Sequence, residues 1–146
     1  MIRLATEEDI PSICDMASRF WEHADYEEEY NPGTTIALAK QCIENDMMLV
    51  AVTEDGLKGF ACGVIAPLLG NPNVLSGTEI AWWVEPDYRK TSCGISLLLE
   101  LEEQAKKNGA KYWNMVYMES SMPTKVKQLY ERLGYKKVET VYRRVL

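Results

Sequence analysis

The chain has 146 residues, 47% of them apolar and 26% charged, a globular composition that fits one domain over residues 1–146. A net charge of −6 argues against broad electrostatic binding to nucleic acid or to an anionic membrane, and leaves room for a cationic acceptor. No run of about 18 apolar residues, the threshold for a membrane span, exists, and Met1 to Glu7 does not read as a signal peptide.

In chain order, Ile2 to Ala5 reads as a short strand. Thr6 with Asp9 resembles a capping box, and Ile10, Ile13, Ala17, Phe20 and Trp21 follow at helical spacing. An acidic loop, His23 to Gly33, precedes a second helix expected over Thr35 to Asn45. Met47 to Thr53 and Leu57 to Pro67 read as a hairpin turned at Glu54-Asp55-Gly56. After a turn at Gly70 to Asn73, Thr78 to Val84 reads as a strand that stops at Pro86. A helix follows from about Ser92 to Asn108, with Ile95, Leu98, Leu99, Glu102 and Ala105 as its stripe and Gly109 as its C-terminal stop. Tyr112 to Met118 reads as a strand. Pro123 opens a last helix with Val126, Leu129, Tyr130 and Leu133 inside and Gly134 at its end. Tyr135 to Leu146 alternates as one or two final strands. The order predicts an α/β (α+β) domain with a mixed, mostly antiparallel sheet of 6–7 strands and about four helices.

Cys14, Cys42, Cys62 and Cys93 show neither a C-x-x-C pair nor zinc spacing, and read as reduced, space-filling residues of a cytoplasmic protein. His23 is the single histidine, so a two-histidine metal centre is excluded and no metal is expected.

The chemistry concentrates where the strand ending at Val84 feeds a helix through Glu85-Pro86-Asp87-Tyr88-Arg89-Lys90-Thr91-Ser92-Cys93-Gly94. The first N–H groups of a helix lack intrahelical partners, and the dipole adds positive charge. With Arg89 and Lys90 beside it, such a turn suits a pyrophosphate; it also fits an ordinary capped crossover helix.

Val84-x-Pro86-x-Tyr88-Arg89-x-x-Ser92-x-Gly94 is similar, without gaps, to the coenzyme A loop of the GCN5-related N-acetyltransferase (GNAT) family: V-x-P-x-Y, then R or Q, then x-x-G-x followed by G or A. Leu129-Tyr130-Glu131-Arg132-Leu133-Gly134-Tyr135 resembles that family's L-Y-x-x-L-G-F block, and the element order is alike over nearly all the chain. The resemblance implies a GNAT fold and transfer of an acetyl group from acetyl-CoA to a primary amine. It implies a pantetheine arm along Trp82-Trp83-Val84 and a pyrophosphate on Arg89, Lys90, Thr91, Ser92, Cys93, Gly94 and Ile95. Tyr130 matches the family's general acid, and is otherwise a core tyrosine with its hydroxyl at the rim. Glu79 is the candidate base, acting through water, with Glu119 as the backup; otherwise Glu79 is a solvated strand residue. Glu79, Ala81 and Trp83 are expected on one face.

The departures are Ser92 at the loop's usual first glycine and Pro123 where many members carry a coenzyme A-contacting asparagine. They keep open a non-catalytic coenzyme A-binding or interaction module. Glu22, Asp25, Glu27, Glu28 and Glu29 read either as a solvated face or as attraction for a cationic small-molecule or peptide amine. A strand at the chain's end would leave an edge for a second subunit, a homodimer.

Overall fold

A computed structural model describes residues 1–120 and 123–146, with Pro123 described by its backbone alone. It divides into two compact units, Met1–Val116 and Tyr117–Leu146.

The first unit runs β1 (Ile2–Leu4), α1 (Ile10–Trp21), α2 (Pro32–Glu44), β2 (Met48–Thr53), β3 (Gly56–Leu68), β4 (Asn71–Val84), α3 (Cys93–Lys107) and β5 (Ala110–Asn114). The sheet order is β1-β2-β3-β4-β5. The first three pairings are antiparallel and β4–β5 is parallel, with α3 as the crossover. The mixed, mostly antiparallel sheet is thus present, with five strands among the described residues.

Local chemistry sets the element ends. The Thr6 N–H donates to the Asp9 carboxylate at 2.8 Å, and Arg3 grips the same carboxylate at 2.7 and 2.9 Å, tying β1 to the turn that enters α1. Helix α2 starts at Pro32, earlier than the expected Thr35, because the Asn31 side chain accepts the Gly33 N–H at 2.9 Å and proline suits a first turn. Strand β2 is buried from Met48 to Ala51 because both faces of the sheet are covered. Met48, Val50, Phe60, Cys62 and Trp83 pack with α1 and α2, while Leu49, Ala51, Ala61 and Val84 pack with α3.

The inner stripe of α3 is Leu97, Leu98, Leu101 and Ala105. Of the expected stripe, Leu98 and Ala105 are buried, whereas Ile95 and Leu99 are 40% and 43% exposed. Gly94, which meets Trp82 and Val84, lies on the inner face, since 94, 97, 98, 101 and 105 follow at helical spacing.

On the α3 face, β5 brings Trp113 across two glycines. A Cβ on Gly77 would come within 2.5 Å of the indole; one on Gly63 would come within 2.5 Å of the indole and 2.6 Å of the Thr78 carbonyl oxygen.

The second unit holds α4 (Pro123–Arg132). Gly134, at φ 88°, ends it: its N–H donates to the Glu131 carbonyl and the Tyr135 N–H to the Tyr130 carbonyl at 3.0 Å. This double bond across a left-handed glycine is a Schellman cap, and the usual apolar contact accompanies it, the Tyr130 and Tyr135 rings lying 5.6 Å apart. Tyr135 to Leu146 forms no strand. Alternation of side chains is not enough to make a strand, which also needs a neighbouring backbone to complete the ladder. The edge expected there for a second subunit is correspondingly not formed. Pro123's expected effect on coenzyme A binding concerns a side chain outside those described.

Gly63→Ala should cost about 1–3 kcal/mol, because the new methyl meets a backbone oxygen that cannot move aside. Urea unfolding should show a lower midpoint at unchanged slope; an unaltered midpoint would mean the β3–β4–β5 packing is looser than described.

Candidate functional site

Strand β4 has two neighbours for only part of its length. Its pairing with β5 ends at Thr78–Asn114, while pairing with β3 continues to Val84–Gly59. Asn114 fixes the end of the parallel pair, its amide donating to the Gly77 carbonyl at 2.9 Å and to the Ser76 hydroxyl at 3.2 Å. From Glu79 to Val84 the outer edge of β4 has no strand partner among the described residues.

Strand alternation tells which groups face that edge. The Glu85 N–H donates toward β3, to the Lys58 carbonyl at 2.8 Å. Backbone groups alternate in direction, so those of Trp82 and Val84 face outward. The Val84 carbonyl is taken by the Arg89 Nε–H at 2.9 Å.

Glu79 stands where the two neighbours part. It is only 6% exposed, and its carboxylate accepts the Val116 N–H at 3.1 Å. Burial raises its pKa from 4.5 to about 7, and the Val116 hydrogen bond opposes part of that rise. A register shift between Cys62 and Gly63 leaves Ile80 as an extra residue on β4. This bulge interrupts the strict alternation that was expected to align Glu79 with Ala81 and Trp83. Glu119 lies exposed in a turn of the second unit.

The loop after β4 forms one 3₁₀ turn, Pro86–Tyr88, before α3. Thr91 organises the helix start: its hydroxyl donates to the Tyr88 carbonyl at 2.7 Å and accepts the Cys93 N–H at 3.2 Å. The first helical bond runs from the Ser96 N–H to the Ser92 carbonyl at 2.9 Å. Helix geometry then leaves the Gly94 and Ile95 N–H groups without intrahelical acceptors. Ser92 sits at φ −72°, ψ −4°, a conformation open to any residue, so its side chain strains nothing. Lys90, Thr91 and Ser92 are exposed.

Other expected residues have structural engagements. The Arg89 guanidinium lies 4.4 Å over the Trp83 ring. Trp83 is core, edge-on to Phe20 at 6.2 Å and 5.4 Å from His23. Its indole N–H is buried without a hydrogen-bond partner among the described residues. Trp82 packs on the α3 side. Burial pushes the Cys93 thiol up, which suits a space-filling residue rather than a nucleophile. His23 Nδ1 lies 3.0 Å from the Arg19 carbonyl oxygen. Sequence reasoning missed Asn114 and the Glu79–Val116 bond, because contacts between distant strands leave no local pattern.

The acidic loop is organised by aromatics. Trp21 and Tyr26 stack at 4.7 Å and 5°, and the Trp21 indole donates to the Glu28 carbonyl at 2.8 Å. Tyr26 is half exposed, and Glu22, Asp25, Glu27, Glu28 and Glu29 are exposed around it.

A mixed sheet whose fourth and fifth strands part beside a helix N-terminus defines a class by architecture, and solved structures share it. An acetyltransferase from Trypanosoma brucei is similar at a TM-score of 0.75 and 23% identity, covering 100% of this chain and 99% of that one. A predicted acetyltransferase from Clostridium acetobutylicum, solved with acetyl-CoA, is similar at 0.77 and 15%, covering 99% and 95%. The aminoglycoside N-acetyltransferase AAC(6′)-Iy, in complex with the bisubstrate analogue CoA-S-monomethyl-acetylneamine, is similar at 0.75 and 15%, covering 100% and 98%. We found no relative among curated protein sequences. The acetyltransferase (GNAT) domain pattern matches residues 44–137, and the chain belongs to that family of acyltransferases. Among the described residues no helix is long and apolar enough to cross a membrane.

Because Glu79 gains a proton on folding, its stabilising effect is complete below its ordinary pKa of 4.5 and is lost as pH rises through about 7. Glu79→Gln has no such loss. Its stability relative to the parent should therefore rise by about 2–3 kcal/mol between pH 5 and pH 8. Parallel stability curves for the two proteins would contradict the burial of this group.

Proposed function

We propose that the protein transfers the acetyl group of acetyl-CoA directly to a primary amine, with Glu79 as the base acting through water. The observation that carries this reading is a buried carboxyl of pKa about 7 at the head of an open strand edge. A lysine-like amine, with a pKa near 10, is protonated at neutral pH and must lose a proton before it attacks. A base poised near the working pH serves that step best.

The surrounding groups fit the cosubstrate. The outward Trp82 and Val84 backbone suits pairing with a pantetheine amide. The Gly94 and Ile95 N–H groups, the Ser92 hydroxyl and Lys90 suit a pyrophosphate, with Thr91 ordering the turn that presents them. Cys93 shapes the backbone between them, while Arg89 and Trp83 hold the loop rather than reach outward. The Val84 N–H, facing the same edge, is the proposed donor to the developing oxyanion. Tyr130 is proposed as the acid that protonates the leaving thiolate, on the strength of its motif; its Schellman cap and contact with Tyr135 hold the helix end that carries it.

For the acceptor we propose a cationic amine, small or peptidic. The stacked Trp21–Tyr26 pair beside five exposed carboxylates offers cation–π contact and charge together. One neighbour of similar fold is an aminoglycoside N-acetyltransferase.

The test is acetyl-CoA-dependent thiol release over a panel of polyamines, aminoglycosides and lysine-rich peptides. Activity should favour the cations, and kcat/KM should rise with a pKa near 7. Glu79→Gln should move that rise to higher pH, where the amine deprotonates unaided. Tyr130→Phe should lower kcat far more than acetyl-CoA affinity. Thermal stabilisation by acetyl-CoA with no thiol release on any amine would instead support a non-catalytic coenzyme A-binding module.

A further inference from the structure

Two of the four cysteines are drawn together by the fold. Cys42 lies in the last turn of α2, and Cys62 lies in the middle of β3. Met47 links their backbones: its N–H donates to the Cys42 carbonyl at 2.7 Å, and its carbonyl accepts the N–H of Gly63, the neighbour of Cys62, at 3.1 Å. The Cys42 thiol reaches the Gly63 carbonyl oxygen at 3.5 Å. Both residues are 1% exposed within one apolar cluster, and each thiol acts on the other's ionisation.

The pair is not sealed off. Cys42 lines a cavity of about 420 Å³ bounded by Gln41, Asn45, Gly63 and Asn108. That volume accommodates small polar molecules, and the carboxamides make its wall polar. Cys62 does not line it. The hydrogen bond from Cys62 lowers the Cys42 pKa, while Cys62 is pushed well up, first by its bond with Cys42 and then by burial. The thiol that meets the cavity is therefore the one that ionises more readily.

We propose that Cys42 and Cys62 form an oxidation site, in which a peroxide entering the cavity reacts at Cys42 and Cys62 resolves the product to a disulfide. In the first step the Cys42 thiolate sulfur attacks one peroxide oxygen. An S–O bond forms, the O–O bond breaks, and hydroxide leaves; sulfur is oxidised and the peroxide reduced. In the second, the Cys62 sulfur attacks the Cys42 sulfenic sulfur, the S–S bond forms, and the hydroxyl departs with the Cys62 proton as water. The pair gives up two hydrogens in total.

The cross-link would join α2 to β3 beside the β4 bulge at Ile80, next to Glu79, whose charge already acts on Cys62. An effect on transfer would follow only if Glu79 is the base; the oxidation site itself does not depend on that role.

The experiment treats the native chain with graded hydrogen peroxide, blocks remaining thiols, and maps peptides without reduction. The Cys42–Cys62 cross-link should be the first product to accumulate, and dithiothreitol should return both thiols. In Cys62→Ala, Cys42 should persist as a sulfenic acid that dimedone labels. Oxidation of Cys14 or Cys93 before this pair, or a Cys42 that dimedone fails to label in the folded variant, would overturn the proposal.

Discussion

Beyond Thr78, strand β4 keeps a paired edge toward β3 and has an open one on the other side. A strand with an unpaired edge exposes N–H and C=O groups that need partners. Here the opening begins next to a buried carboxyl, so a hydrogen-bonding backbone and a titratable group share one place. Asn114 clamps the last parallel pair, and the Glu79 carboxylate takes the Val116 N–H just past it. These two contacts decide where the strands part. The slot for Trp113 over Gly63 and Gly77 keeps β5 seated up to that point.

The second feature is the turn into α3. Its helical N–H groups point outward by geometry, and Thr91 spends its hydroxyl on ordering the turn. Arg89 folds back on Val84 and Trp83, so its charge is part of the scaffold. Ser92 occupies a backbone conformation that does not call for glycine.

Much of this was legible in the sequence where the signal is local. Thr6 and Asp9, the stop at Pro86, and the glycines at 109 and 134 act on their own neighbours, and the structure has each of them in place. The loop from Val84 to Gly94 and the block from Leu129 to Tyr135 were readable for the same reason. What escaped depends on distant partners. The inner face of α3 is set by packing on the sheet, where Leu97 and Leu101 meet β2, β3 and β4, so a stripe counted from Ile95 misses them. The burial of Glu79 depends on segments far along the chain, and a glutamate on a strand looks the same whether wet or dry. The Ile80 bulge appears only when β3 and β4 are aligned. Tyr135 to Leu146 alternates like a strand, yet alternation supplies no partner. Cys42 and Cys62, each an ordinary apolar residue by position, become a pair only through Met47.

The account rests on Glu79 being a buried carboxyl poised near neutrality. Carboxyl ¹³C NMR of the labelled protein, assigned by comparison with Glu79→Gln, measures that directly. The account predicts a glutamate resonance titrating near pH 7 that is absent from the variant. A Glu79 resonance titrating close to 4.5 would contradict it.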